Sequence, residues 1–379
     1  MGNSRNGSDP GSLFISCGEA SGDQYSRILT ETLRSKGFHG DIWGMLGPQG
    51  VSSGAKAVWD SRSLSLMGVS EVLGAIPRLI RMKRAMTDKI VERNPAGVVV
   101  IDSPDFHLPL VKALRHKGYT GKVFYIAPPT VWAWRQGRVS LLASLFDLCF
   151  PLFKFEKDFL ESRGVKCRWF GHPLLSMLKG IAPTDIEDQK GKTVALLPGS
   201  RRSEVRSLMP VLAETANGIS KRGFRPVFSV APGLDKEAAG LIREGCRPWR
   251  VHEGPGSELM AASEMVIGAS GTAAVEALIL GRFMIVLYRA SLSSWLTYKA
   301  LVRTRWISIP NVLAGQELYP ELLQCGVSPE RILHYFDRFT GDTDYREGVI
   351  KAMKAGCASL GHGDAGEGWA SSILEVLGS

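Results

Sequence analysis

Cysteine is scarce in this sequence, and the few cysteines lie far apart. Six are spread over 379 residues, and no Cys-x-x-Cys pair occurs. This excludes a disulfide framework and a cysteine-based zinc site, and it indicates reduced thiols in a cytoplasmic protein. Histidines and carboxylates do not cluster at metal-ligand spacing either. We therefore predict no metal and no cofactor.

Long apolar runs and two nucleotide signatures are also missing. No uncharged stretch reaches membrane-spanning length, and the polar start of the chain has no signal-peptide core. We expect a flexible N-terminus over residues 1–11. No Gly-x-Gly-x-x-Gly follows the first strand, which disfavours a dehydrogenase, and no complete Walker motif occurs, which disfavours a nucleoside triphosphatase.

What the sequence does have is a surplus of basic residues. The formal net charge is +9 and the pI is near 9.3. This balance predicts an acidic partner, which is a nucleic acid, a phosphorylated ligand or an anionic lipid, unless the source proteome is simply basic. The 44% hydrophobic and 22% charged residues are ordinary for a soluble globular protein.

Apolar strand-like runs alternate with helical patterns along the whole chain, which is typical of parallel α/β sheets. We predict two Rossmann-like domains, over 12–182 and 193–340, joined by a polar linker at 181–192. Helices in 341–379 are expected to cross back to the N-terminal domain. The predicted strands are 12–18, 41–47, 97–103, 122–127, 145–151, 168–172, 193–197, 226–231, 250–253, 265–268 and 284–288.

Each half contains a Gly-rich turn between a strand and a helix. The first runs from Gly18 to Asp23 and the second from Ser270 to Glu276. Such turns present backbone N–H groups and a positive helix end to anions. Two of them predict domains that face one cleft, with an anionic ligand held between them.

Four further segments carry candidate chemistry. Asp102 ends an apolar strand, where ligands of open α/β sheets bind, so it is a candidate general base, while Asp105 is expected to cap the next helix. The turn 198–204 offers Arg201 to a phosphate, although an ordinary turn with exposed arginines is the alternative. The segment 131–138 is either a recognition loop or contains two core tryptophans, and His172 is either a substrate contact or structural.

The segment 64–86 alternates apolar and basic residues at helical spacing. This pattern is typical of interfacial helices, and a core-facing amphipathic helix is the alternative. The predicted membrane and acyl-chain contacts are Met67, Val69, Val72, Leu73, Ile76, Arg78 and Arg81.

Taken in order, these motifs resemble those of the lipid-A-disaccharide synthase family. The resemblance rests on segments 18–23, 67–69, 101–106, 131–135, 171–173, 197–201, 270–276 and 310–311. It implies a GT-B fold, and transfer of 2,3-diacylglucosamine from its UDP derivative to 2,3-diacylglucosamine 1-phosphate (lipid X). The product is a β(1→6) disaccharide 1-phosphate. It also implies a peripheral enzyme on the anionic cytoplasmic face of the inner membrane, without nucleic acid, as a monomer or homodimer.

The resemblance also implies roles for individual residues. Asp102 matches the base, and Arg201 is the second catalytic candidate. Substrate and UDP contacts are expected from Glu19, Ser21, Gly199, Ser200, Ser270, Gly271, Thr272, Ala273, Glu276 and Asn311. Two other functions stay open: another UDP-sugar enzyme of this fold, such as a peptidoglycan-precursor transferase or an epimerase, and a non-catalytic basic lipid-binding protein.

Overall fold

The computed structural model describes residues 11–65, 72–181, 192–291, 295 and 304–378. These residues form two compact units, Met1–Pro173 with Gly361–Ser379 and Leu174–Leu360. The predicted N-terminal segment and the predicted linker lie outside the described residues, apart from their end residues. No helix among the described residues is both long enough and apolar enough to cross a bilayer.

The first unit is built around a six-stranded parallel sheet in the order β3-β2-β1-β4-β5-β6. Its central strands are buried apolar runs, and helices such as α1 pack one apolar face against them. The elements are β1 Leu13–Cys17, α1 Ala20–Ser35, β2 Ile42–Leu46, α2 Pro48–Ser52, β3 Lys56–Asp60, α3 Arg62–Ser65, α4 Val72–Arg93, β4 Gly97–Ile101, α5 Pro104–His116, β5 Lys122–Ile126, α6 Val139–Leu145, β6 Leu148–Phe150 and α7 Lys154–Glu161.

The second unit repeats this architecture with the strand order β12-β11-β10-β7-β8-β9. Its elements are α8 Leu174–Met177, β7 Thr193–Leu197, α9 Arg202–Lys221, β8 Arg225–Val230, α10 Lys236–Gly245, β9 Arg250–Glu253, α11 Gly256–Ala261, β10 Met265–Ala269, α12 Thr272–Ile279, β11 Phe283–Tyr288, α13 Ile309–Ala314, β12 Glu321–Leu323, α14 Pro329–Gly341 and α15 Thr343–Ala358. The predicted α/β class with two Rossmann-like sheets is confirmed.

The strand order places one topological switch point in each sheet. In the first sheet it lies between β1 and β4, and in the second between β7 and β10. At a switch point the two following connections leave toward opposite faces of the sheet, and the crevice between them is the usual ligand site of open α/β sheets. The residues that follow β1, β4, β7 and β10 are therefore the candidates for a functional site.

The structure differs from the predicted strands at three places. Residues 168–172 form no strand, because only Cys167 bridges the neighbouring Cys149. The prediction missed β3 and β12, which are edge strands. Strand β3 is largely exposed and β12 has only three residues, so neither shows the continuous apolar run that identifies a central parallel strand.

The chain returns to the first unit at residue 361, later than the predicted 341. Helix α15 stays with the second unit, where Gly356 lies against Leu278 and Leu318. The final helix, α16 Ala365–Leu377, packs on α1 of the first unit. The ring of Trp369 meets that of Tyr25 edge-on at 5.8 Å.

Candidate functional site

The first switch point joins the turn after β1 to the turn after β4. Strands β1 and β4 pair in parallel, with Cys17 opposite Ile101. Directly beyond them, the Gly18 N–H donates to Asp102 Oδ1 at 3.1 Å. A Cβ at Gly18 would lie 1.9 Å from Ser103 Oγ, and one at Gly22 would lie 2.1 Å from Asp102 Oδ2. The two glycines of this motif therefore make the space that the Asp102 carboxylate occupies.

A buried hydrogen-bond network holds the backbone of Asp102. Asp102 and Ser103 have φ of 54° and 43°, a left-handed conformation that ordinary residues seldom adopt. The Asp102 carbonyl accepts from His107 Nδ1 at 2.8 Å and from the Tyr125 hydroxyl at 2.9 Å. Burial lowers the pKa of His107 to about 4, so its ring is neutral. Its Nε2 therefore accepts from the Ser16 hydroxyl, which lies 2.8 Å away.

The Asp102 carboxylate is poised to change protonation near neutral pH. Burial raises its pKa to about 7, and the negative charge of Glu19 adds to this effect. Hydrogen bonds from Ser103 and from the N–H groups of Gly18 and Glu19 lower the pKa in part. Oδ2 is buried and has no hydrogen-bond partner among the described residues. A carboxylate with one unbonded oxygen and a pKa near 7 is suited to take a proton from a substrate.

The other residues of the first Gly-rich turn divide into two groups. Glu19, at the N-cap of α1, is exposed, and Ser21 is half-buried at the same edge of the sheet. Asp23 is buried, and its carboxylate accepts from the N–H groups of Gly47, Gln49 and Gly50 at 2.8, 2.9 and 3.0 Å. Asp23 therefore caps α2, and its place in the motif is structural.

The second switch point brings the two predicted UDP segments side by side. Strands β7 and β10 pair with Leu197 opposite Gly268, so the turns 198–201 and 270–272 follow neighbouring strands. In the first turn, Glu204 Oε2 accepts from the N–H groups of Ser200 and Arg201 at 3.0 and 3.3 Å. These amides are occupied by a protein carboxylate, whereas the Arg201 side chain is 65% exposed.

Among the described residues, the N-terminal end of α12 lacks the carboxylate acceptor that Glu204 provides at the N-terminal end of α9. Gly271 is the N-cap of α12, and no described side chain accepts from the first N–H groups of this helix. Its φ of 144° is accessible mainly to glycine, and a Cβ there would meet nothing within 4 Å. Neither Ser270 nor Thr272 is the N-cap residue of this helix. The N–H groups of Thr272 and Ala273 therefore form the positive helix end that an anion requires.

Glu276 lies one turn further along α12. Its side chain is half-buried, and burial raises its pKa to about 7. No hydrogen bond or ion pair to its carboxylate is formed within the described part of the chain. A desolvated carboxylate without a donor gains most from a ligand that brings hydroxyl groups.

The structure uses the amide of Asn311, a predicted substrate contact, in internal hydrogen bonds. Asn311 is fully buried. Its Oδ1 accepts from the N–H groups of Leu318 and Tyr319, each at 2.8 Å. Its Nδ2 donates to the Tyr319 carbonyl at 2.8 Å and to Glu321 Oε1 at 2.9 Å. Asn311 therefore fixes the loop between α13 and β12.

Trp132 of the aromatic loop and His172 both have internal contacts in the structure. Trp132 Nε1 donates to Glu156 Oε1 at 2.8 Å, and Glu156 also accepts from the N–H groups of Leu152 and Phe153. Burial lowers the pKa of His172 to about 3, and its ring packs against Phe153 with centroids 5.1 Å apart. Trp134, by contrast, lies beside the guanidinium groups of Arg135 and Arg138.

Sequence reasoning missed three residues of these networks: His107, Glu156 and Glu321. His107 lies inside an apolar helix pattern, where a histidine facing a backbone carbonyl cannot be told from one facing solvent. Glu156 is the third residue of α7, and Glu321 accepts from the N–H groups of Ile307 and Ser308 before α13. The position of Glu156 is a capping signal that the sequence does contain.

The predicted membrane face is described in part. Met67 and Val69 lie outside the described residues, as do the side chains of Val72 and Leu73. On the described part of α4, Ile76 and Ile80 are 39% and 55% exposed. Arg78, Arg81 and Arg84 on the same helix are exposed. Within the described ranges, no group of three or more His, Cys, Asp or Glu residues could hold a metal ion.

Comparison with known proteins identifies the family. The lipid-A-disaccharide synthetase family matches residues 13–337. Lipid-A-disaccharide synthase of Myxococcus xanthus is 34% identical over 379 residues, which cover 97% of this chain and 98% of that protein. The chain belongs to the lipid-A-disaccharide synthase family. The Pseudomonas aeruginosa enzyme of the same name is 36% identical over 330 residues, covering 84% of this chain and 87% of that enzyme.

Solved structures agree on the fold. A UDP co-structure of MnaA from S. aureus has a TM-score of 0.67 at 14% identity, covering 97% of this chain and 96% of that one. The calicheamicin glycosyltransferase CalG4 has a TM-score of 0.60 at 13% identity, covering 97% of this chain and 98% of that one. At these identities the likeness concerns the fold alone. Family membership makes the protein a glycosyltransferase of lipid A biosynthesis, in preference to the epimerase and to the non-catalytic protein.

Proposed function

We propose that the protein transfers 2,3-diacylglucosamine from its UDP derivative to 2,3-diacylglucosamine 1-phosphate, with inversion at the anomeric carbon. The observation that supports this proposal best is the Asp102 carboxylate, with its raised pKa and its unbonded Oδ2, at the switch point of the first sheet. An inverting transfer needs one such base, because the acceptor attacks the face of the sugar opposite to the leaving group.

In the proposed reaction, Asp102 Oδ2 takes the proton of the acceptor 6-hydroxyl. The oxygen forms a bond to the anomeric carbon while the bond from that carbon to the UDP phosphate breaks, and UDP leaves with the electron pair. The N–H groups of Thr272 and Ala273, together with the exposed guanidinium of Arg201, stabilise the negative charge on the leaving diphosphate. Asp102 ends the step protonated.

The remaining predicted residues take supporting roles. Glu276 accepts hydrogen bonds from the ribose hydroxyls, which supply the donors that its desolvated carboxylate lacks. Glu19 and Ser21 orient the acceptor sugar, while Gly199 and Ser200 let the backbone approach the nucleotide. This division gives the acceptor to the first domain and UDP to the second.

The reaction is tested by incubating the purified protein with the acylated UDP donor and the acylated acceptor phosphate. We expect UDP to be released only when both lipids are present. The anomeric proton of the disaccharide product should show the large coupling of a β linkage in its NMR spectrum. An epimerised UDP-sugar, or an α-linked product, would refute the proposal.

We also propose that α4 docks on the anionic cytoplasmic face of the inner membrane. Exposed isoleucines and arginines on one helix suit an interface where apolar side chains enter the lipid and cations meet the head groups. Changing Arg78, Arg81 and Arg84 to glutamate should reduce sedimentation with anionic vesicles. Changing the exposed Lys351 and Lys354 of α15 should not, and an equal loss in both variants would indicate a non-specific effect of charge.

A further inference from the structure

Two arginines of the loop after β5 converge on one carboxylate oxygen. Arg135 Nη1 donates to Asp105 Oδ1 at 2.8 Å, and Arg138 Nη2 donates to the same oxygen. The Asp105 side chain is 67% exposed, whereas that of Arg138 is only 18% exposed. Two guanidinium cations therefore pair with one carboxylate. The cluster keeps a net positive charge, and its carboxylate side chain is exposed to solvent.

The two guanidinium groups are held in place by more than this ion pair. The guanidinium carbon of Arg135 lies 4.3 Å from the ring centroid of Trp134, and that of Arg138 lies 6.0 Å from it. Arg135 has a φ of 50°, which is uncommon for a residue with a side chain. Such strained backbone occurs preferentially at binding and catalytic sites. The guanidinium groups of Arg135 and Arg138 are therefore held side by side next to the indole ring of Trp134.

This cluster lies next to the proposed base. Asp105 is in the first turn of α5, which begins two residues after Asp102. The charges of Arg138 and Asp105 both act on the pKa of Tyr125. The Tyr125 hydroxyl is also the group that donates to the Asp102 carbonyl at 2.9 Å. The cluster and the base therefore belong to one local assembly within the first unit.

We propose that Arg135 and Arg138 bind the phosphate group of the acceptor, and that Asp105 holds them in position until the phosphate takes its place. This inference rests on the proposed function for the nature of the acceptor. The attacking 6-hydroxyl and the 1-phosphate flank the ring oxygen of one sugar and are separate groups, so a phosphate site is required close to the base but apart from it. Guanidinium groups bind phosphate through two parallel hydrogen bonds, and two of them match its dianionic charge.

The test compares variants for which the proposal predicts opposite signs. Arg138→Gln and Arg135→Gln should each raise the KM for the acceptor phosphate about tenfold or more, because each removes a charged hydrogen bond. Asp105→Asn should lower that KM, because it releases both guanidinium groups from a competing anion. The KM for the UDP donor should stay the same in all three variants.

A purely structural ion-pair cluster makes a different prediction. All three variants would then disturb the loop and raise the acceptor KM together, which would overturn the proposal. A changed donor KM would also overturn it, because the cluster would then serve the diphosphate. If Arg138→Gln does not fold, Arg135→Gln and Asp105→Asn still give the opposed pair.

A second measurement uses the acceptor lipid without its phosphate. Wild type should use this lipid about tenfold less well, whereas Arg135→Gln should show a smaller difference between the two lipids. An equal difference in both proteins would contradict the proposal. If no lipid acceptor causes UDP release even in wild type, the proposed function fails first, and this outcome is distinguishable from failure of the phosphate site.

Discussion

Replacing Asp102 with asparagine should remove activity and at the same time stabilise the folded protein. The substitution keeps the shape of the side chain, and its carbonyl oxygen can still accept from the Gly18 N–H, 3.1 Å from Oδ1 in the structure. It removes the group that takes the proton, which typically costs about 10²- to 10⁴-fold in rate. It also removes the cost of burying a negative charge.

The stability change follows from the pKa of Asp102, which burial raises from 3.8 to about 7. Between these values the unfolded chain has lost the proton that the folded protein keeps, so wild-type stability falls as pH rises. Each pH unit in this window is worth about 1.4 kcal/mol. From pH 5 to pH 7 the loss amounts to about 2 kcal/mol, because the folded-state carboxyl is itself half ionised at pH 7, and it levels off above pH 7 as both states become ionised.

The assay is denaturant unfolding of wild type and Asp102→Asn at pH 5 and pH 8. The advantage of the variant should grow by about 3 kcal/mol between the two values. Glu214→Gln is the matched control, because Glu214 is an exposed carboxylate on α9 and its removal should give no such growth. An advantage of Asp102→Asn that stays constant with pH would show that the Asp102 carboxylate is ionised throughout, and would refute the reasoning.

Three further predictions concern the supporting residues. His107→Phe removes a donor to the Asp102 carbonyl, so kcat should fall about tenfold and the free energy of unfolding by about 1–3 kcal/mol. His107→Asn keeps a donor, so it should recover part of both losses. Gly271→Ala should lower the free energy of thermal unfolding by about 1–3 kcal/mol, because Gly271 has a φ of 144°. It should also weaken UDP binding measured by calorimetry. Gly240→Ala, within α10, is the control and should show neither effect. Asn311→Ala should destabilise the folded protein by at least about 2 kcal/mol yet leave its affinity for UDP unchanged. A loss of affinity without loss of stability would instead support the predicted substrate contact of Asn311.

The central strands and the four turns after them were predictable from the sequence. Apolar runs that stop at small or acidic residues identify the ends of buried parallel strands, so the residue pattern alone assigns Gly18, Asp102, Gly199 and Ser270 to sheet edges. Pairing of β1 with β4, and of β7 with β10, brought the turns of each unit together. That pairing is a property of topology, which periodicity along one strand does not contain.

What the sequence could not provide was the use of each polar group. Asn311 and Asp23 lie in segments that resemble family motifs, and the structure shows both hydrogen-bonded within the protein, mainly to backbone groups. His107 lies in an apolar helix and holds the carbonyl of the proposed base. Residue type and spacing show that a polar group is present, whereas its hydrogen-bond partners depend on distant segments.

The pH dependence of kcat/KM for the acceptor tests the assignment of Asp102 as the base most directly. For wild type, the rate should rise about tenfold per pH unit up to about pH 7 and then level off, because only the ionised carboxylate accepts the proton. For Asp102→Asn the residual rate should not show this rise. The same profile in both proteins would contradict the assignment, because another group would then be the base.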